Sequence, residues 1–227
     1  MWTQEGRSCE VLKSFFEKLG IDRCFDKKTA TIDMAAGYEK TIEERLPQAD
    51  IVFDRLHVQR LASDAADDVR RSVVRELGGS PETHEIKGTR FVVLKKPEAF
   101  SRSEKRKLGA VQETNQGLYR AYRLKQALGD ALDCLQPARA RSALADSLAW
   151  ASRSRLKPFV RIARTIRKHF EGIIAYVKTR LPSGLVEGLK DKLRRIARRA
   201  FGFHGPKPLI AMLFLTCGGI QLDPPLP

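Results

Sequence analysis

Hydrophobic positions along this chain recur mostly at helical spacing. At residues 9–19, Val11, Leu12, Phe15, Phe16 and Leu19 fall on one face of a 3.6-residue helix. Residues 29–33 (TATID) are a short β-branched run that predicts a strand. Residues 36–46 predict a helix ended by Pro47, and residues 50–54 (DIVFD) a second strand. Strand, helix and strand in that order form a βαβ unit with parallel strands. A helix follows from His57 to about Leu77, broken by Gly78-Gly79-Ser80-Pro81. The run at 91–94 inside KGTRFVVLKKP reads as a short extended segment. From Ser101 to about Arg180 helical spacing is nearly continuous, punctuated at Gln136-Pro137 and Lys157-Pro158. The apolar stretch at 209–217 predicts a buried helix or strand and is too short to span a bilayer. The fold class is therefore a small α/β part with a large all-α insertion, mostly helical overall.

One further helix, at 183–203 (SGLVEGLKDKLRRIARRAFGF), carries the most chemistry. Val186, Leu189, Leu193, Ile196 and Ala200 form its apolar stripe, while Glu187, Lys190, Arg194 and Arg198 share the opposite side. A carboxylate at the head of a basic ridge suits a metal-dependent nuclease, in which oxygen ligands hold the metal and the ridge holds phosphates. The same pattern is also that of an ordinary amphipathic helix with a solvated charged face.

Charge sharpens the picture. The formal net charge is +15, and residues 151–227 hold 16 Lys+Arg against 4 Asp+Glu. Such asymmetry points the C-terminal third at a polyanion, and at nucleic acid before a membrane, because the basic helices also supply core residues. Cys9, Cys24, Cys134 and Cys217 form no C-x-x-C pair, which excludes a zinc ribbon and fits free thiols in a reducing cytoplasm. The N-terminus shows no signal-peptide pattern. Neither a glycine-rich phosphate loop nor a G-x-S-x-G elbow is present, which argues against nucleotide-binding and serine-nucleophile enzymes.

Asp33 and Asp54 each end a predicted strand. On neighbouring strands those ends lie roughly 5 Å apart, or about 10 Å if one strand intervenes. Open α/β sheets bind ligands at the carboxyl ends of their strands, and two acids there suit part of a Mg²⁺ site. Either residue equally reads as the cap of the helix that follows it. His57 stands three residues after Asp54 in a D-x-x-H spacing.

Five ordered blocks carry a family likeness: IDMAAGY (32–38), LPQADIVFDRLHV (46–58), KGTRFVVLKKPEAFS (87–101), NQGLYRAYRLKQAL (115–128) and VEGLKDKLRRIARRAFGF (186–203). Together they resemble the DDE transposases of bacterial insertion sequences, in the branch with a D-x-x-H motif and a helical insertion in an RNase H-like core. The resemblance implies a partial RNase H-like core at 1–59, a mainly helical insertion at 60–181, and a catalytic helix and return to the core at 182–222; the DPPLP composition of 223–227 itself predicts a disordered tail. It implies cleavage and joining of DNA ends with two Mg²⁺ (or Mn²⁺) ions. Asp33 matches the second metal-binding carboxylate and Glu187 the third. Asp54 and His57 match the accessory motif. Lys190, Arg194, Arg195, Arg198 and Arg199 match the basic, DNA-binding part of the last catalytic helix.

The chain departs from the family pattern in two places. No residue matches the first catalytic aspartate, and Lys190 and Asp191 replace the usual asparagines after E-G. The expectation is an N-terminally truncated transposase fragment, inactive alone, located in the bacterial cytoplasm at the nucleoid. Its partners are then insertion-sequence ends, further copies of itself or full-length transposase in a mixed assembly, and no membrane. The alternative is a non-catalytic DNA-binding fragment that represses transposition. A third reading, another RNase H-like nuclease such as a resolvase, fits the long helical insertion poorly.

Overall fold

Ser8 starts the first helix, α1 (Cys9–Leu19), by accepting a hydrogen bond from the Val11 N–H through its hydroxyl. This computed structural model describes residues 2–6, 8–32, 37–181, 184–200 and 202–218, with the backbone alone at 184–187, 189 and 190. A one-turn helix, α2 (Ile21–Phe25), strand β1 (Thr29–Ile32), helix α3 (Tyr38–Arg45) and strand β2 (Asp50–Phe53) follow. The strand–helix–strand order is the one the sequence predicts. β1 and β2 are hydrogen-bonded neighbours, and just past their ends the Asp54 N–H donates to the Ile32 carbonyl at 3.3 Å. The carboxyl ends of the two strands therefore lie side by side, which makes the pair parallel, as a helical connection requires.

The chain divides into two compact units. One comprises Thr31–Met34 and Asp50–Arg180 and is built on helices. It runs through α4 (Arg55–Glu76), α5 (Pro81–Lys87), α6 (Arg90–Leu94), α7 (Arg102–Thr114), α8 (Gln116–Asp133), α9 (Pro137–Arg153), α10 (Lys157–Lys168) and α11 (Phe170–Thr179). α8 packs against both α4 and α9, and α10 lies on α4 and α9. Ala62, Ala65 and Ala66 line the buried face of α4, so the larger Leu118, Leu124 and Leu128 of α8 can approach it closely. Leu144, Leu148, Phe159, Ile166 and Ile173 complete the same core. Within α4, the Asp67 carboxylate bonds both Arg70 (2.6 Å) and Arg71 (2.7 Å). Burial pushes the Asp67 carboxyl up, yet the hydrogen bonds and charges of the two arginines outweigh it and hold the group below its usual range.

α4 ends where Gly78 (φ 57°) and Gly79 (φ 94°) take left-handed backbone that a side chain disfavours. α7 begins with a capping box between Ser101 and Glu104. Hydrogen bonds from Lys95 and from the Ser101 backbone bring the Glu104 carboxyl down to about 2. Arg180 (φ 48°) closes α11 in left-handed backbone, and its guanidinium donates to the Leu132 carbonyl at 3.4 Å and to the Cys134 carbonyl at the end of α8.

One expectation fails in this unit. Residues 91–94 are not extended but lie in the helical turn α6, where the Val93 N–H donates to the Thr89 carbonyl at 2.9 Å. The helical turn buries the adjacent Val92 and Val93 together, and that burial overrides their β-branched preference.

The other unit comprises Met1–Ala30, Ala35–Ala49 and Leu181–Pro227. In it α1 packs against α2 and α3, with Phe16, Ile42 and Leu46 buried. The Gln48 side-chain amide donates to the carbonyls of Cys24 (2.7 Å), Phe25 (3.2 Å) and Lys27 (3.1 Å), which ties the end of α2 to the turn after α3. Two further helices, α12 (Gly184–Arg199) and α13 (Pro206–Cys217), pack side by side. α13 contains the apolar stretch expected to be buried. It is a helix, but only Leu213 is buried among its residues, and Met212 and Leu215 are exposed. The expected tail at 223–227 lies outside the described residues.

One contact fixes α11 on β2. A Cβ on Gly172 would overlap the Phe53 ring, 2.6 Å from Cε2 and closer still to Cδ2, and stand 2.9 Å from the Ile51 carbonyl oxygen, so only hydrogen fits there. Gly172→Ala is expected to destabilise the chain by about 1–3 kcal/mol through overpacking. A lowered urea midpoint checks it, and an unchanged midpoint means that the two elements are not in this contact.

Candidate functional site

The carboxyl ends of β1 and β2 hold the first candidate acids. Asp33 follows Ile32 in sequence and lies outside the described residues. Asp54 directly follows β2 and is the N-cap of α4, its Oδ1 accepting from the Leu56 N–H at 3.0 Å. The cap reading of Asp54 is thus realised. The cap leaves the second carboxylate oxygen, Oδ2, outside this hydrogen bond. His57, one turn on and half-buried, donates its backbone N–H to the Asp54 carbonyl at 3.1 Å, so the D-x-x-H spacing forms a single closed turn.

Ion pairs that sequence spacing did not reveal hold this turn from behind. Arg55, the first residue of α4, pairs with Asp133 at the end of α8. Asp133 also accepts from Lys96 at 2.8 Å. Nearby, the buried Lys125 donates its Nζ to the carbonyls of Leu94 (2.7 Å) and Lys95 (2.9 Å), closing the C-terminal end of α6. Burial first, and the charge of Lys96 second, pull the Lys125 ammonium down to about 8. A signal for Lys125 was present in the sequence. It stands on the apolar stripe of its helix, at helical spacing from Leu118, Ala121 and Leu128.

Glu187 and Lys190 fall on α12, and their side chains lie outside the described residues. Arg194, Arg195, Arg198 and Arg199 follow on the same helix, all exposed. Arg194 donates to Asp191 at 2.8 Å, so the acid that departs from the family pattern covers one of the four arginines. The apolar stripe of α12 is half-buried at Leu193 and Ile196 and exposed at Ala200. Among the described residues no group of three or more His, Cys, Asp or Glu side chains is placed to hold a metal ion. No helix among them is long and apolar enough to cross a membrane.

Comparison with known proteins adds an independent finding. A family profile described as transposase, of the DDE type and named for ISL3, matches residues 1–213. The transposase for insertion sequence element IS1557 of Mycobacterium tuberculosis is 30% identical over 241 residues, covering 96% of this chain and 54% of the relative. The transposase for insertion sequence element IS1001 of Bordetella parapertussis is 30% identical over 206 residues, covering 90% of this chain and 51% of the relative. The chain thus spans about half the length of the curated relatives it matches. No solved structure matches it.

The lowered Lys125 value makes stability depend on pH. Between about 8 and the ordinary 10.5, the unfolded chain holds a proton that the folded chain has shed, so stability rises with pH through that window. Denaturant midpoints measured across the window are expected to climb for the parent and to climb less for Lys125→Met. Identical profiles mean that Lys125 is not buried as described.

Proposed function

The chain belongs to the ISL3-type family of DDE transposases, and from that premise we propose that it acts on DNA as the Asp33- and Glu187-bearing part of an insertion-sequence transposase. The observation that carries the reading is the family match over residues 1–213, which spans both acids. Asp33 follows a strand whose end is paired with the start of the D-x-x-H turn, the place where open α/β sheets bind ligands. On this reading the sheet belongs to an RNase H-like core, residues 60–181 are its insertion, and α12 carries Glu187.

The donors fit the metal. Asp33 and Glu187 offer hard carboxylate oxygens, and Mg²⁺ or Mn²⁺ takes one or two such groups while keeping waters. Two bound ions would activate the attacking oxygen and stabilise the leaving oxygen of an in-line phosphoryl displacement. The protein's own part is placement. Asp54 caps α4 and, with Arg55 on Asp133, holds the turn that carries His57. Lys190, Arg195, Arg198 and Arg199 line phosphates along α12, with Arg194 shared by Asp191. No residue of the 227 matches the family's first aspartate, so Asp33 and Glu187 alone would hold the metal on this polypeptide.

A second reading, DNA binding without cleavage, is favoured by the charge: residues 151–227 carry 16 Lys+Arg against 4 Asp+Glu. Both readings place the protein in the bacterial cytoplasm, at the nucleoid. Both allow assembly with further copies or with full-length transposase.

With insertion-end DNA and Mg²⁺ or Mn²⁺, the chain alone is expected to retard DNA in a salt-sensitive way, to do so equally after Glu187→Gln, and to give no joined product. Joined products overturn the incomplete site. Failure to bind DNA at low salt overturns the DNA reading itself.

A further inference from the structure

Residues 153–168 (RSRLKPFVRIARTIRK) hold seven Lys and Arg and no Asp or Glu. The structure sorts them by side. On α10, Phe159, Ile162, Ala163 and Ile166 are buried in the helical core. Lys157, Arg161, Arg164 and Lys168 are all exposed. Their spacing of four, three and four residues keeps them within an arc of about 60° and spreads them over about 16 Å of helix. Arg161 pairs with Asp68 of α4 at 3.3 Å. Among the described residues no carboxylate is within ion-pair distance of Lys157, Arg164 or Lys168.

The turn before α10 carries two more cations. Arg153 and Arg155 are exposed on it, and Ser154 between them is buried. The Ser154 hydroxyl donates to the Ala151 carbonyl at 2.7 Å and accepts from the Leu156 N–H at 3.2 Å, while Arg120 donates to the Ser154 carbonyl at 3.1 Å. Arg155 has φ 61°, a left-handed backbone that glycine takes without strain. Backbone strain at non-glycine residues gathers at functional sites, and here it presents an exposed charged side chain on a turn held by these hydrogen bonds.

We propose that the α9–α10 turn and the outward face of α10 form a binding ridge for the sugar-phosphate backbone of duplex DNA, through Arg153, Arg155, Lys157, Arg161, Arg164 and Lys168. This ridge rests on the DNA reading above and adds to it a site in the helical insertion, apart from the arginines of α12. The α10 part of the row is cationic, and its length of about 16 Å covers about five phosphates of one strand at 3.4 Å each. A membrane surface fits less well, because an interfacial helix must bury an apolar face in lipid and that face of α10 is already in the protein core.

The test is the salt dependence of binding to a labelled DNA duplex, read by fluorescence anisotropy on the whole chain. The triple variant Arg155→Gly, Arg164→Ala, Lys168→Ala is compared with a charge-matched control, Arg102→Ala, Lys105→Ala, Lys107→Ala on α7. Arg155→Gly also suits the left-handed backbone, so that single variant keeps the parent's melting temperature and is expected by itself to weaken binding. The triple variant is expected to lower the slope of log affinity against log salt by about 2–3 and to lose at least roughly tenfold in low-salt affinity. The control is expected to change both much less. A triple variant with the parent's slope, or a control that loses as much, overturns the ridge alone. A parent that binds no DNA overturns both the ridge and the reading beneath it. Loss of binding to anionic vesicles with DNA binding intact overturns the ridge in favour of a lipid surface.

Discussion

Phe53 lies against bare backbone at Gly172, and the strand end hangs on that contact. β2 is only four residues long and, among the described residues, has one partner strand. A sheet of two short strands is not stable by itself in water and needs a packed face. Val52 and Phe53 are almost wholly buried, and α11 packs on β2 at the distance of a missing Cβ. Because β2 passes into α4 with only Asp54 between them, fixing the strand also fixes the helix start and the D-x-x-H turn. Arg55 on Asp133 and Lys96 on the same carboxylate then tie that turn to the far end of α8. The helical unit thus acts as the mount for a small strand end, the place proposed for the chemistry.

Electrostatics follow a consistent division in that unit. Asp67, Asp68, Asp133 and Glu171 each hold one or more cations of the protein itself. Many of the remaining lysines and arginines face solvent. Exposed ion pairs contribute little to stability, so the surplus positive charge adds little to what holds the fold together. It creates a field suited to a polyanion.

Much of the fold was legible in the sequence because period and punctuation agreed. The two strands, the helix between them, the break at Gly78-Gly79 and the run of helices after Ser101 all stand where spacing and turn residues put them. The 91–94 segment failed because four apolar residues carry no period, and only the burial of Val92 and Val93 in one helical turn decides it. Stretch 209–217 was read correctly as one of its two alternatives, a helix, yet apolarity misled as to burial, since composition does not say how many neighbours cover a helix. At the candidate site, Asp54 and His57 were legible as a pair because a cap and its first turn are local. Arg55 on Asp133 was not, because the partners are 78 positions apart and no spacing rule joins them. The proposed pairing of Asp33 with Glu187 rests on family likeness alone, since 153 residues separate them and no spacing rule joins them.

The shared metal at Asp33 and Glu187 is the claim on which the catalytic reading stands, and lanthanide luminescence measures it without needing turnover. Terbium titrated into the intact chain is expected to bind saturably, to be displaced by Mg²⁺, and to lose affinity in both Asp33→Asn and Glu187→Gln. Binding that survives both substitutions, or that is lost in one and untouched in the other, contradicts a shared site.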